Sequence, residues 1–330
     1  MPNAKTRLTT ALSWGIVFAM TCSAFSPSLL AQTWPAKPIR FVVPYPPGGS
    51  NDVLSRLTAQ AMSSGLGQPV VIDNRGGAGG MIGADNVAKS PPDGYSIVNV
   101  QASFTANAAL RTKMAYDPIT DFTYVGMMAR GPLLAVVHPS LPVKSIRDLI
   151  TLAKARPGQI NYGSTGTGGH NHLATELFRR MAQINIVHVP YKGVAPALTD
   201  LIGGHTQMVM TSLPSAMNHV QSGRLKALAV GSEQRSSFMP NLPTISEAGV
   251  SGYMAEFWWG IAVPAKTPIE IVNRLGSELS KAMQSPDLKQ KFAAEGAEPS
   301  NMGREPFTQF VRNEITRWRK VAQETGIKPE

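Results

Sequence analysis

Apolar runs and apolar residues spaced three and four apart alternate along this chain, with turn chemistry between them. Ile39 to Val43 is a short run of the kind that forms a buried strand, and Val53, Leu54, Leu57 and Ala61 beyond it keep helical spacing. Between them lies Pro44-Tyr45-Pro46-Pro47-Gly48-Gly49-Ser50-Asn51-Asp52, so the segment reads strand, glycine turn, helix. Val70-Val71-Ile72 predicts a second strand, ending in the glycine cluster Asn74 to Gly80. Met81 to Ala88 then predicts a helix, Pro91-Pro92-Asp93-Gly94 a turn, and Tyr95 to Val100 a third strand. That order, βαβαβ, is the unit of a parallel sheet.

The second half repeats the pattern. Ile160-Asn161-Tyr162 leads into a second glycine turn, Gly163 to Gly169, and a helix follows with Leu173, Leu177 and Met181 on one face. A strand at Ile186 to Val189, the turn Pro190-Tyr191-Lys192-Gly193, a helix from Pro196 to Ile202 and a strand around Met208 to Met210 complete it. Two long extended stretches, Tyr124 to Val137 and Glu256 to Pro264, stand where one half hands over to the other. They predict an α/β protein of two lobes, each a mostly parallel sheet flanked by helices, joined by two crossing hinge strands. Lobe one takes residues 32–131 and 257–330, and lobe two takes 132–256. Helices from Pro268 to Met283 and from Glu305 to Thr325, the latter with Phe307, Phe310, Val311 and Trp318 on one face, are expected to pack back on lobe one.

Both glycine turns then face the interlobe cleft at the carboxyl ends of their strands, where such folds bind ligands. Each turn aims backbone N–H groups, and the positive end of the following helix, at whatever lies above it. The natural guest is an anion held without a metal or a catalytic residue. Ser50, Ser164, Thr165 and Thr167 offer hydroxyl donors, and Lys192 a mobile charge. Tyr45, Phe104, Tyr191 and one of Trp258 or Trp259 offer a flat apolar wall. Asp52 is the main acid of these loops and reads equally as a helix cap or a ligand contact, so little remains to pair an ammonium group.

His170, His172 and Glu176 invite a metal reading, but the sequence supplies no third and fourth ligand, and capping or packing explains them more simply. No metal and no cofactor are expected. Gly166-x-Gly168 is followed by Asn171 where a dinucleotide fingerprint needs its third glycine. G-x-x-x-x-G-K-[ST], G-x-S-x-G and H-E-x-x-H are absent, so an enzyme has no motif support. The net charge is +10, yet the densest basic group, Arg312, Arg317, Arg319 and Lys320, alternates with Glu314 and Glu324 as a solvated helix face does. Nucleic acid is not expected as a partner.

Lys5 and Arg7 precede an apolar stretch from Leu8 to Phe25, interrupted by Thr9, Thr10, Ser13, Thr21 and Ser23, with small residues towards Ala31. This is the layout of a secretory signal peptide over residues 1–31, cleaved near Ala31, and it predicts export to the periplasm. The single cysteine, Cys22, lies inside it, so the mature chain is expected to have no disulfide.

The order and content of several motifs now carry a resemblance. Trp34-Pro35-x-x-Pro38-Ile39, Pro46-Pro47-Gly48-Gly49-x-x-Asp52, Asn74-Arg75-x-Gly77-Ala78-Gly79-Gly80, Ala88-Lys89-x-Pro91-Pro92-Asp93-Gly94-Tyr95, Tyr116-Asp117-Pro118, Gly163-Ser164-x-Gly166-x-Gly168 and Pro190-Tyr191-Lys192-Gly193 resemble the Bug family of periplasmic solute-binding proteins. These are associated with tripartite tricarboxylate transporters. The resemblance spans essentially all of the mature chain and implies a binding protein of the type II-like, two-lobed periplasmic fold. Such a protein closes on a small organic carboxylate and hands it to the transporter's membrane subunits, with a signalling partner as the alternative; it is expected to act as a monomer. It implies ligand contacts from Tyr45, Gly48, Gly49, Ser50, Asp52, Ser103, Ser164, Thr165, Gly166, Thr167 and Tyr191. Gln207 stands near the place where members of the family often carry an acid, which leaves open which mono- or dicarboxylate, aliphatic or aromatic, is taken.

Overall fold

The computed structural model describes residues 34–111 and 113–325. The signal peptide, its cleavage point and Cys22 lie outside the described residues. From Lys37 onward the chain is one compact unit.

Its strands are β1 (Ile39–Val43), β2 (Val70–Asn74), β3 (Ser96–Gln101), β4 (Phe122–Val137), β5 (Asn161–Ser164), β6 (Val187–Pro190), β7 (Met208–Ser212), β8 (Lys226–Val230), β9 (Glu256–Pro264) and β10 (Glu298–Pro299). Its helices are α1 (Ser50–Leu66), α2 (Met81–Ala88), α3 (Ala102–Leu110), α4 (Ile146–Ala155), α5 (His170–Met181), α6 (Val194–Ile202), α7 (Leu213–Gln221), α8 (Ile269–Gln284), α9 (Pro286–Ala294) and α10 (Arg304–Thr325). A single turn of 3-10 helix, Ala78–Gly80, precedes α2.

In the first half β1 lies between β2 and β3, parallel to both, and in the second β5 lies between β6 and β7 in the same way. Each trio then meets an antiparallel strand: β9 beside β3, and the end of β4 beside β7. The whole is a mixed sheet in the order β2-β1-β3-β9-β4-β7-β5-β6, with β8 and β10 also paired to β4. β4 holds it together. Residues 122–132 of that strand pair with β9, and Leu133 to Val137 pair with β7 on one side, most of them with β8 on the other. Pro132 marks the changeover, and its missing N–H removes one ladder donor there.

The periodicity translates directly into these elements. α1 keeps Leu54, Ala59 and Met62 inside and stops at Gly67, whose φ of 70° is the left-handed cap geometry. α8 and α10 pack on β4, with α8 also against α1 and α10 against α3. Phe307, Val311 and Trp318 of α10 are fully buried. Of the tryptophan pair, neither ring reaches a cleft. β9 is a central strand with cover on both faces, so Trp258 packs on Phe307 and Phe310 while Trp259 stacks on Phe257.

Candidate functional site

Five helices begin around one small cavity. It is lined by Tyr45, Pro46, Gly49, Ser50 and Asn51 from the first turn and α1; Gln101 and Ser103 at the start of α3; Thr165 and Asn171 at the start of α5; Val194 and Ala195 opening α6; Thr211, Ser212 and Ser215 at the start of α7; and Phe257 of β9. Each of those helices follows the carboxyl end of a parallel strand, which is why their N-termini converge. Dipoles from five N-termini favour negative charge at the centre. Among the described residues the lining carries no charged side chain, so that preference comes from the backbone and from hydroxyl and amide groups. The cavity has about 360 Å³ of empty space, part of it open to solvent.

The two halves touch across this cavity. Ser212 Oγ donates to Ser50 Oγ at 2.9 Å, and Ser50 N donates to Ser215 Oγ at 3.1 Å. His170 N donates to Ser103 Oγ at 2.8 Å, and Arg111 Nη2 to the Thr167 carbonyl at 3.1 Å. Gly49 sits so close to Val194 that a Cβ there would lie 2.9 Å from Val194 Cγ1, and a Cβ on Gly193 would lie 2.9 Å from Pro46 Cδ. Asn51 Oδ1 is buried on the wall without a partner.

Of the residues singled out from sequence, Tyr45, Gly49, Ser50, Ser103 and Thr165 line the cavity. Tyr45 is anchored there: its OH donates to the Gly79 carbonyl at 2.8 Å and accepts from Gln101 Nε2 at 2.6 Å. Burial pushes its pKa up to about 12, against the pull of Ser103 and Gln101. The other six shape the walls from behind. Gly48 takes a φ of 90° at the bend of the first turn and donates its N–H to Asp52 Oδ2 at 3.1 Å. Asp52 also accepts from Asn74 Nδ2 and pairs with Arg56. Its carboxylate is engaged by the loop from inside the first turn of α1, whose N-cap is Gly49 and has no side-chain cap bond. Burial raises its pKa, but Arg56, Asn74 and Gly48 outweigh that and leave it below the usual carboxylate range. Ser164 turns inward to His188 Nε2 at 2.6 Å, Gly166 takes a φ of 115° against Gly79, and Thr167 supplies the carbonyl that Arg111 binds. Tyr191 points away, donating its OH to Asp200 at 2.7 Å.

Three further expectations are corrected. Gln207 precedes β7 at the end opposite the cavity, where Oε1 accepts from Asn161 N at 2.9 Å. Phe104 lines a separate small cavity behind Tyr45 with Asn99 and Asn107. The aromatic wall is therefore Tyr45 and Phe257 only, without Phe104, Tyr191 or either tryptophan. Sequence reading missed the starts of α3 and α7 because both helices are apolar or short, and Gln101, Ser212 and Ser215 went with them. The cue was local: each follows a buried strand directly. Among the described residues no group of three or more His, Cys, Asp or Glu is placed to hold a metal ion.

Two α/β halves closed on a polar, uncharged cavity ringed by helix N-termini define a solute-binding protein. Residues 54–327 match the TctC family, described as the tripartite tricarboxylate transporter family receptor, and this chain belongs to that family. It is 38% identical over 314 residues to protein BugT of Bordetella pertussis, covering 94% of this chain and 96% of that one. Among solved structures it is similar to Rpa4515 of R. palustris with adipate, at 41% identity and a TM-score of 0.88, covering 90% of this chain and 100% of that one. MatC from Rhodopseudomonas palustris with bound malate is 30% identical with a TM-score of 0.84, covering 87% of this chain and 99% of that one.

Proposed function

We propose that this protein captures a slim aliphatic dicarboxylate without an amino group and delivers it to the membrane subunits of a tripartite transporter. The observation that carries the reading is the convergence of five helix N-termini on a cavity without a charged side chain. With no acid on the wall an ammonium group has no partner. Adipate and malate in the two related structures are of the same chemical class. The cavity holds no imidazole or carboxylate for acid–base chemistry, so the ligand is positioned and released unchanged.

Tyr45, Gly49, Ser50, Ser103 and Thr165 are the proposed contacts, joined by Asn51, Gln101, Asn171, Ser212 and Ser215. Residues 32–131 with 257–330, and 132–256, are proposed as two lobes that open at the β4 and β9 crossings. Export to the periplasm with cleavage near Ala31 completes the reading. Calorimetry with adipate, malate, citrate, terephthalate and glutamate tests it, with Ser50→Ala and Ser212→Ala as site controls. Adipate or malate is expected to bind and the two substitutions to weaken it. Binding of glutamate alone, or binding indifferent to both substitutions, would overturn the assignment.

A further inference from the structure

The second glycine turn is held from beneath by two imidazoles that never reach the cavity. His172, in the first turn of α5, and His188, on β6, stack with ring centroids 4.0 Å apart and planes 17° from parallel. Tyr162 of β5 continues the stack 5.0 Å from His188. Gly168 N donates to His172 Nδ1 at 3.2 Å near the end of the turn. At its start Ser164 Oγ meets His188 Nε2 at 2.6 Å and also accepts from Gly166 N at 3.1 Å. One ring therefore serves each end of the turn.

We infer that His172 and His188 are positioning residues of the ligand site, each bonding one end of the second glycine turn while neutral, and that a proton added to the pair releases that turn. The word ligand here rests on the carboxylate reading above; the link between the imidazoles and the turn does not. His172 Nδ1 is an acceptor only when unprotonated, so a proton there leaves the Gly168 N–H facing another donor. His188 tolerates a proton better, because Ser164 can turn its own hydrogen towards the Gly166 carbonyl at 3.3 Å. At 4.0 Å the two rings resist carrying two positive charges.

The charged and titratable neighbours are Tyr162 from β5 and Glu176 and Arg179 from α5. Glu176 accepts from the Tyr162 OH at 2.8 Å and from Arg179 at 2.7 Å, so its carboxylate is already engaged. Burial, then the adjoining His172, push the His188 pKa from 6.5 down to about 4, against an opposing pull from Glu176. The depressed His188 pKa keeps its bond to Ser164 neutral and at full strength above pH 6.5, and the stacked pair gains its proton as pH falls from there through about 4.

The test follows the Gly168 amide and the imidazole nitrogens by NMR in the full mature protein across this range. It compares wild type with the double variant His172→Asn and His188→Gln, whose side-chain oxygens stand in for Nδ1 and Nε2 without titrating. In wild type the Gly168 amide is expected to shift, and its protection against hydrogen exchange to fall relative to the intrinsic rate, as the pair gains a proton between pH 6.5 and about 4; the double variant is expected to show neither. Adipate affinity, measured for both proteins at each pH so that adipate's own protonation cancels, is expected to fall at least about tenfold further in wild type than in the double variant between pH 7 and pH 4. An amide unmoved down to pH 4, or the same affinity profile in both proteins, would overturn the inference. If adipate fails to bind at pH 7 the carboxylate reading falls, and the amide titration still decides the role of the histidines.

Discussion

Gly49→Ala is the sharpest probe of closure, because the added methyl meets a neighbour only when the two halves are together. The new Cβ would lie 2.9 Å from Val194 Cγ1, against a comfortable carbon–carbon separation of about 3.5–4.0 Å. Either the walls part by roughly half an ångström to one ångström, or Val194 turns from the single χ1 that a helical valine prefers. Overpacking of this kind costs about 1–3 kcal/mol, and with about 1.4 kcal/mol per decade the adipate dissociation constant should rise roughly 5- to 150-fold. Gly49 has a φ of −90° and a ψ of 170°, a conformation alanine adopts freely. The change in fold stability is then only the weaker helix cap, about a few tenths to 1 kcal/mol, which appears in the melting temperature and cancels from binding. Calorimetry on Gly49→Ala, Val194→Ala and the double variant separates the two effects. The double variant should regain most of the lost affinity, because the atom in the way is gone. Equal losses in the single and double variants would refute the argument, showing that the turn and not the contact was disturbed.

Two further outcomes follow from the contacts behind the cavity. Arg111→Met removes the guanidinium bond to the Thr167 carbonyl, a charged hydrogen bond worth about 1.5–3 kcal/mol, so adipate should leave roughly tenfold faster or more while its on-rate stays the same; stopped-flow kinetics showing the loss in the on-rate would count against a latch. Asp52→Asn loosens the first turn and should lower urea stability by about 1–2 kcal/mol at pH 7, discounting the half-exposed Arg56. Because the Asp52 pKa is depressed below 3.8, its contribution is present above that value and lost as pH falls through the folded pKa. The gap between wild type and variant should therefore shrink in acid, and a constant gap would contradict it.

The elements with clean periodicity were readable from sequence, α1, α5 and α6 at the cavity among them, whereas α3 and α7, which complete its ring, were not. Glu256 to Pro264 and Met81 to Ala88 appear as strand and helix with the expected ends, since their flanks carry proline or glycine punctuation. α3 escaped because Ala102, Ser103, Phe104, Thr105, Ala106 and Asn107 alternate apolar and polar as a strand does, and the helix buries both kinds. The glycine turns pointed to an anion, but which side chains face it depends on where each hydroxyl finds its partner. Ser50 opens α1 and reaches across to Ser212, whereas Ser164 closes β5 and turns back to His188. That choice was fixed by β6 and α7, elements distant in sequence from one or both turns. Trp258 and Trp259 mislead for a related reason: alternation assigns neighbouring rings to opposite faces, and here both faces are covered.

The path of β4 also sets an order of assembly. The strands of the second half, from Leu133 of β4 to β8, lie in one uninterrupted stretch, so its sheet can form while the chain is still being made. The first half cannot. β3 and the first part of β4 have no strand between them until β9 arrives, and α8 to α10 come later still. The half begun first is completed last, with two strand edges open in the interval. Truncation before Glu256 would leave those edges without β9 and turn the same delay into aggregation.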